Sequence, residues 1–366
     1  MPRGRRILSR VTDELWALAK LFLKLGTTAF GGPAAHIALM EDEVVRKRAW
    51  LTREEFLDLL GATNLIPGPN STELAIHIGH RRAGFPGLVV AGVSFILPAA
   101  LIVTACAWAY VRAGELPAVA RVLYGVKPVV IAVVVQALWR LGKTALHSLE
   151  LALLAAAAVA AYALGAGELA VLGGGALAAA LARVTRARLL GAVGLWPLFG
   201  FFAKVGSVLF GSGYVLIAFL REGLVHERGW LTESQLLDAV AVGQVTPGPV
   251  FTTATFVGYL LGGGAGAAVA TLGIFLPAFV FVAASGPLLP RLRRSPTAGA
   301  FLDGLNAASL ALMAVVTVRL LPAAIVDWTT LALCVASALA LLAFGWSSTV
   351  LVVAGALCGL LLPGRG

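Results

Sequence analysis

Apolar residues of this chain form long continuous runs, and polar residues collect in the segments between them. A helix that crosses a bilayer needs about 20 predominantly apolar residues, so the runs predict membrane-spanning helices, some of them tilted or completed by flanking residues. The runs occupy residues 88–110, 122–139, 149–164, 169–181, 265–284, 307–321, 331–344 and 350–362. The pattern predicts an all-α, polytopic, multi-pass membrane protein.

The same pattern occurs twice, 180 residues apart. Of the 48 positions from 22 to 69, 17 are identical to the position 180 residues further on, and after a one-residue deletion the offset is 179. The predicted domains are homologous repeats at residues 1–190 and 191–366. A doubled membrane unit is typical of secondary transporters, whose substrate site lies between the two copies.

The first apolar segment of each repeat is broken in its middle by small residues. Gly-Gly-Pro interrupts it at residues 31–33, and Gly-Ser-Gly interrupts the second copy at residues 211–213. A polar connector follows and ends in Trp-Leu-Thr at residues 50–52 and 230–232. In both copies this threonine is followed three residues later by Glu or Gln, as in a capping box, so a helix is expected to begin directly after each connector.

A Pro-Gly-Pro sequence forms the second break, at residues 67–69 and 247–249. The residue before proline avoids the helical conformation, so a helix is expected to stop before each motif and restart near Asn70 or Val250. Non-helical backbone at membrane depth is tolerated where it is buried in protein or lines a cavity. The restarting helix directs free N–H groups and its positive dipole end there, which suits an anion. A plain kink or a surface loop is the alternative.

Composition and charge restrict the class of protein. Hydrophobic residues make up 59% of the chain and charged residues 13%, whereas soluble domains carry about 25% charged residues. The formal net charge is +10, but the basic residues cluster between apolar runs, as in cytoplasmic loops, which argues against nucleic acid as a partner. These clusters are Arg3, Arg5 and Arg6; Arg46, Lys47 and Arg48; Arg81 and Arg82; Arg183, Arg186 and Arg188; and Arg291, Arg293 and Arg294.

The position of the basic loops differs between the two repeats. In the first repeat Arg81 and Arg82 precede the run at 88–110, whereas in the second repeat the basic residues at 291–294 follow the matching run at 265–284. Positive loops mark the cytoplasmic side, so matching spans run in opposite directions. We therefore expect inverted-topology repeats with broken or re-entrant helices.

Two lysines occupy matching positions inside apolar sequence, Lys24 and Lys204. A cation within the membrane is costly and marks a candidate functional residue. Two such lysines brought together by two-fold symmetry would suit a divalent anion. Snorkelling of the side chains to the lipid headgroups is the alternative.

Titratable groups near the first Pro-Gly-Pro motif are candidates for proton transfer. Glu73 and His77 are four residues apart, hence on one helix face, and Thr253 and Val257 replace them in the second repeat. A solvated helix face is an equally good interpretation of this pair. Asp58 and Asp238, which recur in amphipathic helices, are expected to be solvated or to cap a helix.

Enzyme chemistry finds no support in the sequence. The chain has no HExxH, GxSxG or Walker-type motif and no paired metal-ligand cluster, so we expect no catalytic residue, no cofactor and no metal. Its three cysteines lie in apolar runs, without a CxxC motif, and are expected to be buried small apolar residues. A removable signal peptide is not expected, because no short apolar core with a cleavage site follows the basic N-terminus.

Several motifs of the sequence together resemble those of a known family. Phe-Gly-Gly-Pro at 30–33, Trp-Leu-Thr at 50–52, the segment at 64–69 ending in Pro-Gly-Pro and its counterpart at 245–249 resemble the chromate ion transporter family, in its long, two-domain form. The resemblance implies an inner-membrane carrier that exports chromate with the proton-motive force and so confers chromate resistance, with sulfate as a related substrate. The second repeat departs from it at residues 212–213, so the halves need not contribute equally.

The oxyanion is expected to bind between the Pro-Gly-Pro motifs near the bilayer midplane. The candidate substrate-binding residues are Lys24, Phe30, Gly31, Gly32, Pro67, Gly68, Pro69, Asn70, Ser71, Thr72, Lys204, Gly211, Pro247, Gly248, Pro249 and Thr252. Glu73 and His77 are the proton-coupling candidates. Carriers of sulfate, another anion or a lipid phosphate are the alternatives within transport, and a structural or sensory membrane protein is the alternative outside it. The expected partners are the oxyanion, protons, the bilayer and, since such transporters often pair, a second copy of the chain.

Overall fold

A computed structural model describes residues 3–30, 32–63, 66–113, 117–145, 149–163, 194–209, 215–285, 296–346 and 348–361 of the 366-residue chain. Helices are the only regular secondary structure within these ranges. The first repeat contains α1 (Arg3–Thr28), α2 (Gly32–Glu41), α3 (Arg53–Thr63), α4 (Asn70–Ala113), α5 (Pro117–Ala145) and α6 (Leu149–Ala163). The second contains α7 (Leu195–Val208), α8 (Val215–Leu220), α9 (Glu233–Val245), α10 (Thr253–Ser285), α11 (Pro296–Ala324), α12 (Trp328–Leu342) and α13 (Ser348–Leu361). The predicted all-α fold is confirmed.

Several helices are long and apolar enough to cross a membrane. Three stretches meet this condition, Asn70–Arg112, Ala120–Trp139 and Val250–Ser285. Shorter apolar helices complete the set among the described residues, and they are Leu195–Val208, Met313–Ala324, Trp328–Leu342 and Val350–Leu361. The chain is therefore an integral membrane protein. Its candidate residues Gly31 and Gly211, and the basic clusters at 183–188 and 291–294, lie outside the described residues.

Both predicted capping boxes are present. The backbone N–H of Thr52 donates to the Glu55 carboxylate (2.9 Å), and the N–H of Glu55 donates to the Thr52 hydroxyl (3.1 Å). Thr232 and Gln235 repeat this arrangement at the start of α9. The Thr52 backbone bond, together with the Arg81 guanidinium, holds the pKa of Glu55 below its usual value. These caps explain why a helix begins directly after each Trp-Leu-Thr sequence.

The long helix that follows each Pro-Gly-Pro motif is broken at matching glycines. Gly84 has φ +61° and Gly263 has φ +58°, a conformation that favours glycine. Helix α4 is therefore two helices, α4a (70–82) and α4b (85–113), and α10 divides likewise into α10a (253–261) and α10b (264–285).

Helices α3 and α4a form a re-entrant hairpin with Pro-Gly-Pro at its tip. Arg81, at the end of α4a, pairs with Glu55 in the first turn of α3 at 3.0 Å, so both ends of the hairpin lie on the same side. Arg82 lies over the Trp50 ring and 3.7 Å from Glu14 of α1. The chain thus returns to this side after each of its first two breaks. We call residues 53–82 the first hairpin and residues 233–261 the second hairpin.

The two hairpins lie at opposite ends of α4b. Arg82 of the first hairpin directly precedes α4b, whereas Tyr110, near the other end of α4b, contacts the second hairpin. The Tyr110 hydroxyl donates to Asp238 of α9 (2.8 Å), and its ring lies 5.3 Å from that of Phe256 in α10a. Hairpins that approach one spanning helix from opposite ends belong to repeats of opposite orientation, which confirms the inverted arrangement.

The helices form two packed units. The core unit contains α1–α4 and α7–α10, whose contacts include α1 with α4, α7 with α10, and α4 with α10. The bundle unit contains α5, α6 and α11–α13. Within the bundle, Gly125 of α5 lies so close to Gly355 of α13 that a Cβ on Gly125 would overlap the Gly355 carbonyl oxygen. The bundle therefore depends on small residues where its helices touch.

Candidate functional site

The Pro-Gly-Pro tip of each repeat rests on the other repeat. The N–H of Gly68 donates to the carbonyl of Leu209 at the end of α7 (2.8 Å), and the N–H of Gly248 donates to the carbonyl of Ala29 at the end of α1 (2.9 Å). Leu209 and Ala29 are matching positions, as are Gly68 and Gly248. This reciprocal pair of bonds brings both tips and both helix breaks to the junction between the repeats.

Glycine is required at the centre of each tip. Gly68 has φ +139° and Gly248 has φ +90°, conformations that other residues rarely adopt. A Cβ on Gly248 would lie 2.6 Å from the Cβ of Ala99 in α4b, and a Cβ on Gly68 would overlap a carboxylate oxygen of Glu73. The tips are therefore tightly packed, and Glu73 lies against the first one.

The first turn of α4 places three polar side chains in a buried position beside the first tip. Ser71, Thr72 and Glu73 are all buried, with Glu73 0% exposed. Within the described structure, the Thr72 hydroxyl and both Glu73 carboxylate oxygens lack a hydrogen-bond partner. Buried polar atoms are normally paired, so these atoms are available to a proton, an ion, water or a ligand. His77 lies one turn further along and is also buried.

His36 of α2 is a further candidate residue of this site, and the sequence did not reveal it. It is buried, with Nε2 3.1 Å from the carbonyl of Ala29 and Nδ1 3.3 Å from the hydroxyl of Ser71. A carbonyl only accepts, so Nε2 carries the hydrogen, and in the neutral imidazole Nδ1 accepts from Ser71. Its sequence signal was a lone histidine three residues after a Gly-Gly-Pro break.

The second tip differs from the first in chemistry. Thr252 and Thr253 are buried, but their hydroxyls donate to the carbonyls of Pro249 and Val250, both at 2.8 Å. Thr253 matches Glu73, and Leu216 matches His36. The titratable groups thus belong to the first tip alone, within the described residues.

The two candidate lysines differ in their surroundings. The Lys24 amine lies 2.9 Å from the buried carboxylate of Glu43, which Arg48 and Lys47 also contact. Lys204 is exposed, and Gly223 occupies the position that matches Glu43. Phe30, two residues beyond the end of α1, is partly exposed, and Gly32 begins α2.

The expectation that Asp238 is solvated or caps a helix is wrong. Its side chain is 3% exposed and accepts from Tyr110, with the amine of Lys127 at 3.1 Å. Both partners belong to the first repeat, so their proximity is a consequence of the tertiary fold. The matching Asp58 is exposed.

Comparison with known protein families identifies the family of this chain. A family model described as chromate transporter matches the chain twice, at residues 16–180 and 196–360. The chain belongs to the chromate transporter family. The two matches begin 180 residues apart, which equals the offset of the sequence repeat, and they confirm the resemblance to the long, two-domain form.

Curated relatives of this family cover most of the chain. The chromate transport protein of Cupriavidus metallidurans is 35% identical over 94% of this chain and 92% of its own length. The chromate transport protein of Pseudomonas aeruginosa is 33% identical over 94% and 92%, and the probable chromate transport protein of Synechococcus elongatus is 33% identical over 81% and 82%. No solved structure matches the chain. The family indicates a transporter rather than an enzyme.

Proposed function

We propose that this chromate transporter family member exports chromate, or a related tetrahedral dianion, from the cytoplasm across the inner membrane in a process driven by the proton-motive force. The observation that carries the proposal is the reciprocal pair of contacts in which each Pro-Gly-Pro tip bonds to the helix end of the other repeat, Gly68 to Leu209 and Gly248 to Ala29. A site formed where inverted repeats meet becomes accessible to each side in turn as one packed unit moves against the other. A homodimer is expected in addition.

The anion would bind against the N-terminal turns that begin at Asn70 and Val250. Free N–H groups and the positive ends of helix dipoles favour negative charge at such turns. The unpartnered Thr72 hydroxyl supplies a further donor beside the first tip. Lys24 and Lys204 supply positive charge, and Lys24 must leave Glu43 to do so. Of the remaining described candidates, Pro67, Gly68, Pro69, Pro247, Gly248 and Pro249 form the two tips, and Phe30 and Gly32 lie between α1 and the body of α2.

Glu73 links the binding of the anion to a proton. A dianion and a carboxylate in one buried site repel each other strongly, so the site favours the anion when Glu73 carries a proton. Protonated Glu73 also donates a hydrogen bond. One dianion carried outward with one proton moves one net negative charge, and an inside-negative potential of 100 mV favours its export by about 2.3 kcal/mol. The electrical component of the proton-motive force therefore drives this export, because the pH gradient opposes the outward movement of the proton. His77, one turn further on, is the candidate for delivering the proton.

His36 gives Ser71 a second proton-dependent role. While the imidazole is neutral, the Ser71 hydroxyl donates to Nδ1. A protonated imidazole donates from Nδ1 instead, which frees the Ser71 hydrogen for an anion. Protonation at the first tip therefore adds a donor as well as removing a negative charge.

Labelled chromate uptake into inverted membrane vesicles tests the function. We expect uptake that requires an imposed proton-motive force, collapses with an uncoupler and is reduced by excess sulfate. Vesicles without the protein, prepared in parallel, set the background. Uptake equal to this background would show that the chain does not carry chromate in the proposed manner. The same conclusion would follow from uptake that changes neither with the proton gradient nor with excess sulfate.

A further inference from the structure

Matching helices of the two hairpins have different surroundings. Leu57 of α3 and Leu237 of α9 occupy the same repeat position, yet Leu57 is 52% exposed and Leu237 is 1% exposed. Leu237 lies among Val134 of α5 and Met313 of α11. In the described part of the chain, α9 packs on α5, α11 and α13, whereas α3 packs substantially on α4 alone. The bundle unit therefore covers the second hairpin and leaves the first uncovered.

This difference does not come from the bundle itself. Among the described helices of the bundle, α5 packs against α12 and the matching helix α11 packs against α6, so these two pairs are related by the repeat symmetry. The core unit is symmetric as well, since its two tips make reciprocal bonds. Two symmetric units that meet asymmetrically have two equivalent ways of meeting, and the structure shows one of them.

A cluster of polar groups around the buried Asp238 carboxylate holds the covered side together. Lys127 of α5 lies 3.1 Å from the Asp238 carboxylate and donates to the Ser234 hydroxyl (2.7 Å). Tyr110 of α4b donates to the same carboxylate (2.8 Å). A cavity of about 290 Å³, lined also by Tyr124 and Thr330, adjoins this cluster. Lys127 thus connects α5 of the bundle unit to the second hairpin.

The repeat offset identifies the counterpart of this cluster on the uncovered side. Asn306 of α11 matches Lys127, and Asp58 and Glu54 of α3 match Asp238 and Ser234. Asp58 and Glu54 are exposed. If the bundle moved onto α3 by the same symmetry, an amide would meet two acidic side chains. The counterpart contact would therefore lack the cation of the observed one.

We propose that Lys127 and Asp238 form the outer gate of the transport pathway, and that the bundle opens this gate by moving onto α3, where Asn306 meets Asp58. The gate rests on the transport function proposed above. The uncovered hairpin lies beside Arg48 and Arg82, which the positive-inside rule assigns to the cytoplasm. The structure is accordingly a cytoplasm-open state with its outer side closed.

Cysteine labelling tests the gate without any need for chromate flux. In a background in which Cys106, Cys334 and Cys358 are replaced by serine, a membrane-impermeant maleimide is applied to Leu57→Cys or, separately, to Leu237→Cys, with access to both faces of the membrane. Lys127→Met removes the observed contact. Asn306→Lys leaves that contact intact and gives the counterpart a cation, so its effect does not depend on damage to the gate. Lys127→Arg is the charge-preserving control.

Both Lys127→Met and Asn306→Lys are expected to slow labelling of Leu57→Cys and to accelerate labelling of Leu237→Cys, each by about fivefold, through a shift in population between the two states. Lys127→Arg is expected to change neither rate appreciably. Unchanged rates in both variants would overturn the gate, as would a Leu57→Cys that only a lipid-soluble maleimide reaches. A shift in labelling without chromate uptake would contradict the transport function and leave the two-state motion in place.

Discussion

Lys24 and Glu43 form an ion pair of 2.9 Å in the first repeat, whereas the matching Lys204 has Gly223 in the position of Glu43. The Lys24 amine is therefore held by a carboxylate that Lys47 and Arg48 also contact. In the described residues no ion pair includes Lys204. Two lysines at one repeat position thus differ in how readily they meet an anion.

We expect Lys204→Ala to reduce chromate uptake more than Lys24→Ala, because Lys24 must first give up Glu43. In the double variant the initial rate of chromate uptake is expected to fall by at least about tenfold, equivalent to roughly 1.4 kcal/mol. Initial rates in inverted vesicles, normalised to the amount of protein in the membrane, measure both effects. Lys204→Arg serves as the control for charge. Normal uptake by the double variant would remove the lysines from the site.

Glu73→Gln is expected to remove most of the pH dependence of anion affinity. Sulfate stays a dianion over the whole pH range tested. In the unmodified protein, affinity for sulfate should fall as pH rises, because Glu73 loses its proton and the resulting carboxylate repels the anion. Glutamine retains the shape of the side chain without a titratable charge, so affinity should vary much less with pH, and any remaining dependence would come from His36 acting through Ser71. Sulfate protection of the protein against thermal unfolding, measured from about pH 5 to about pH 9 in roughly one-unit steps, provides the readout.

The exposed Asp13→Asn is the matched control for this experiment, since it removes one carboxylate outside the tip. It should retain the pH dependence of the unmodified protein. A Glu73→Gln variant with the same pH profile as the unmodified protein would place the linked proton elsewhere, with His36 the next group to replace.

The Thr72 and Thr252 hydroxyls allow binding and stability to be separated. The Thr72 hydroxyl is buried without a partner among the described residues, whereas the Thr252 hydroxyl donates to Pro249. Thr72→Ala should therefore weaken anion affinity with little change in the free energy of unfolding. Thr252→Ala should destabilise the protein by about 1 kcal/mol and affect affinity less. The two quantities come from transport KM and thermal unfolding, and the opposite assignment of effects would refute the first tip as the donor site.

Local features of this fold could be predicted from sequence because their causes are local. Proline chemistry alone ends α3 and α9 before the tips, and Thr52 with Glu55 alone specifies a helix start. The repeat offset further predicted that the two tips lie at the junction between the repeats, since matching breaks recur at matching depth. The inverted orientation followed from loop charges, which depend only on position along the chain.

Residues without a repeat counterpart of the same chemistry could not be predicted in this way. Lys127 is replaced by Asn306, so comparison of the repeats gave it no weight. Its partner Asp238 has a counterpart, Asp58, but only the packing of α5 on α9 buries one and not the other. His36 likewise gains its role from Ser71, a residue 35 positions away. Such pairs depend on tertiary contacts that no local pattern encodes.

Alanine substitutions of the glycines with positive φ test the reciprocal contact of the tips. Gly248→Ala should abolish transport, because the new Cβ would lie 2.6 Å from the Cβ of Ala99 and 3.1 Å from the carbonyl oxygen of Gly26, neither of which can rotate away. Gly68→Ala should be milder, since its clash is with the side chain of Glu73. Gly263→Ala is the matched control, as it has a positive φ with open space around the new Cβ.

Conformational strain of about 1–3 kcal/mol is expected in all three variants, and Gly263→Ala measures such strain without a steric clash. Thermal unfolding of the purified protein and uptake in inverted vesicles should both rank the variants in the order Gly263→Ala, Gly68→Ala, Gly248→Ala, from mildest to most severe. Equal losses for Gly263→Ala and Gly248→Ala would mean that backbone conformation, rather than close contact between the two repeats, makes glycine necessary at the tip.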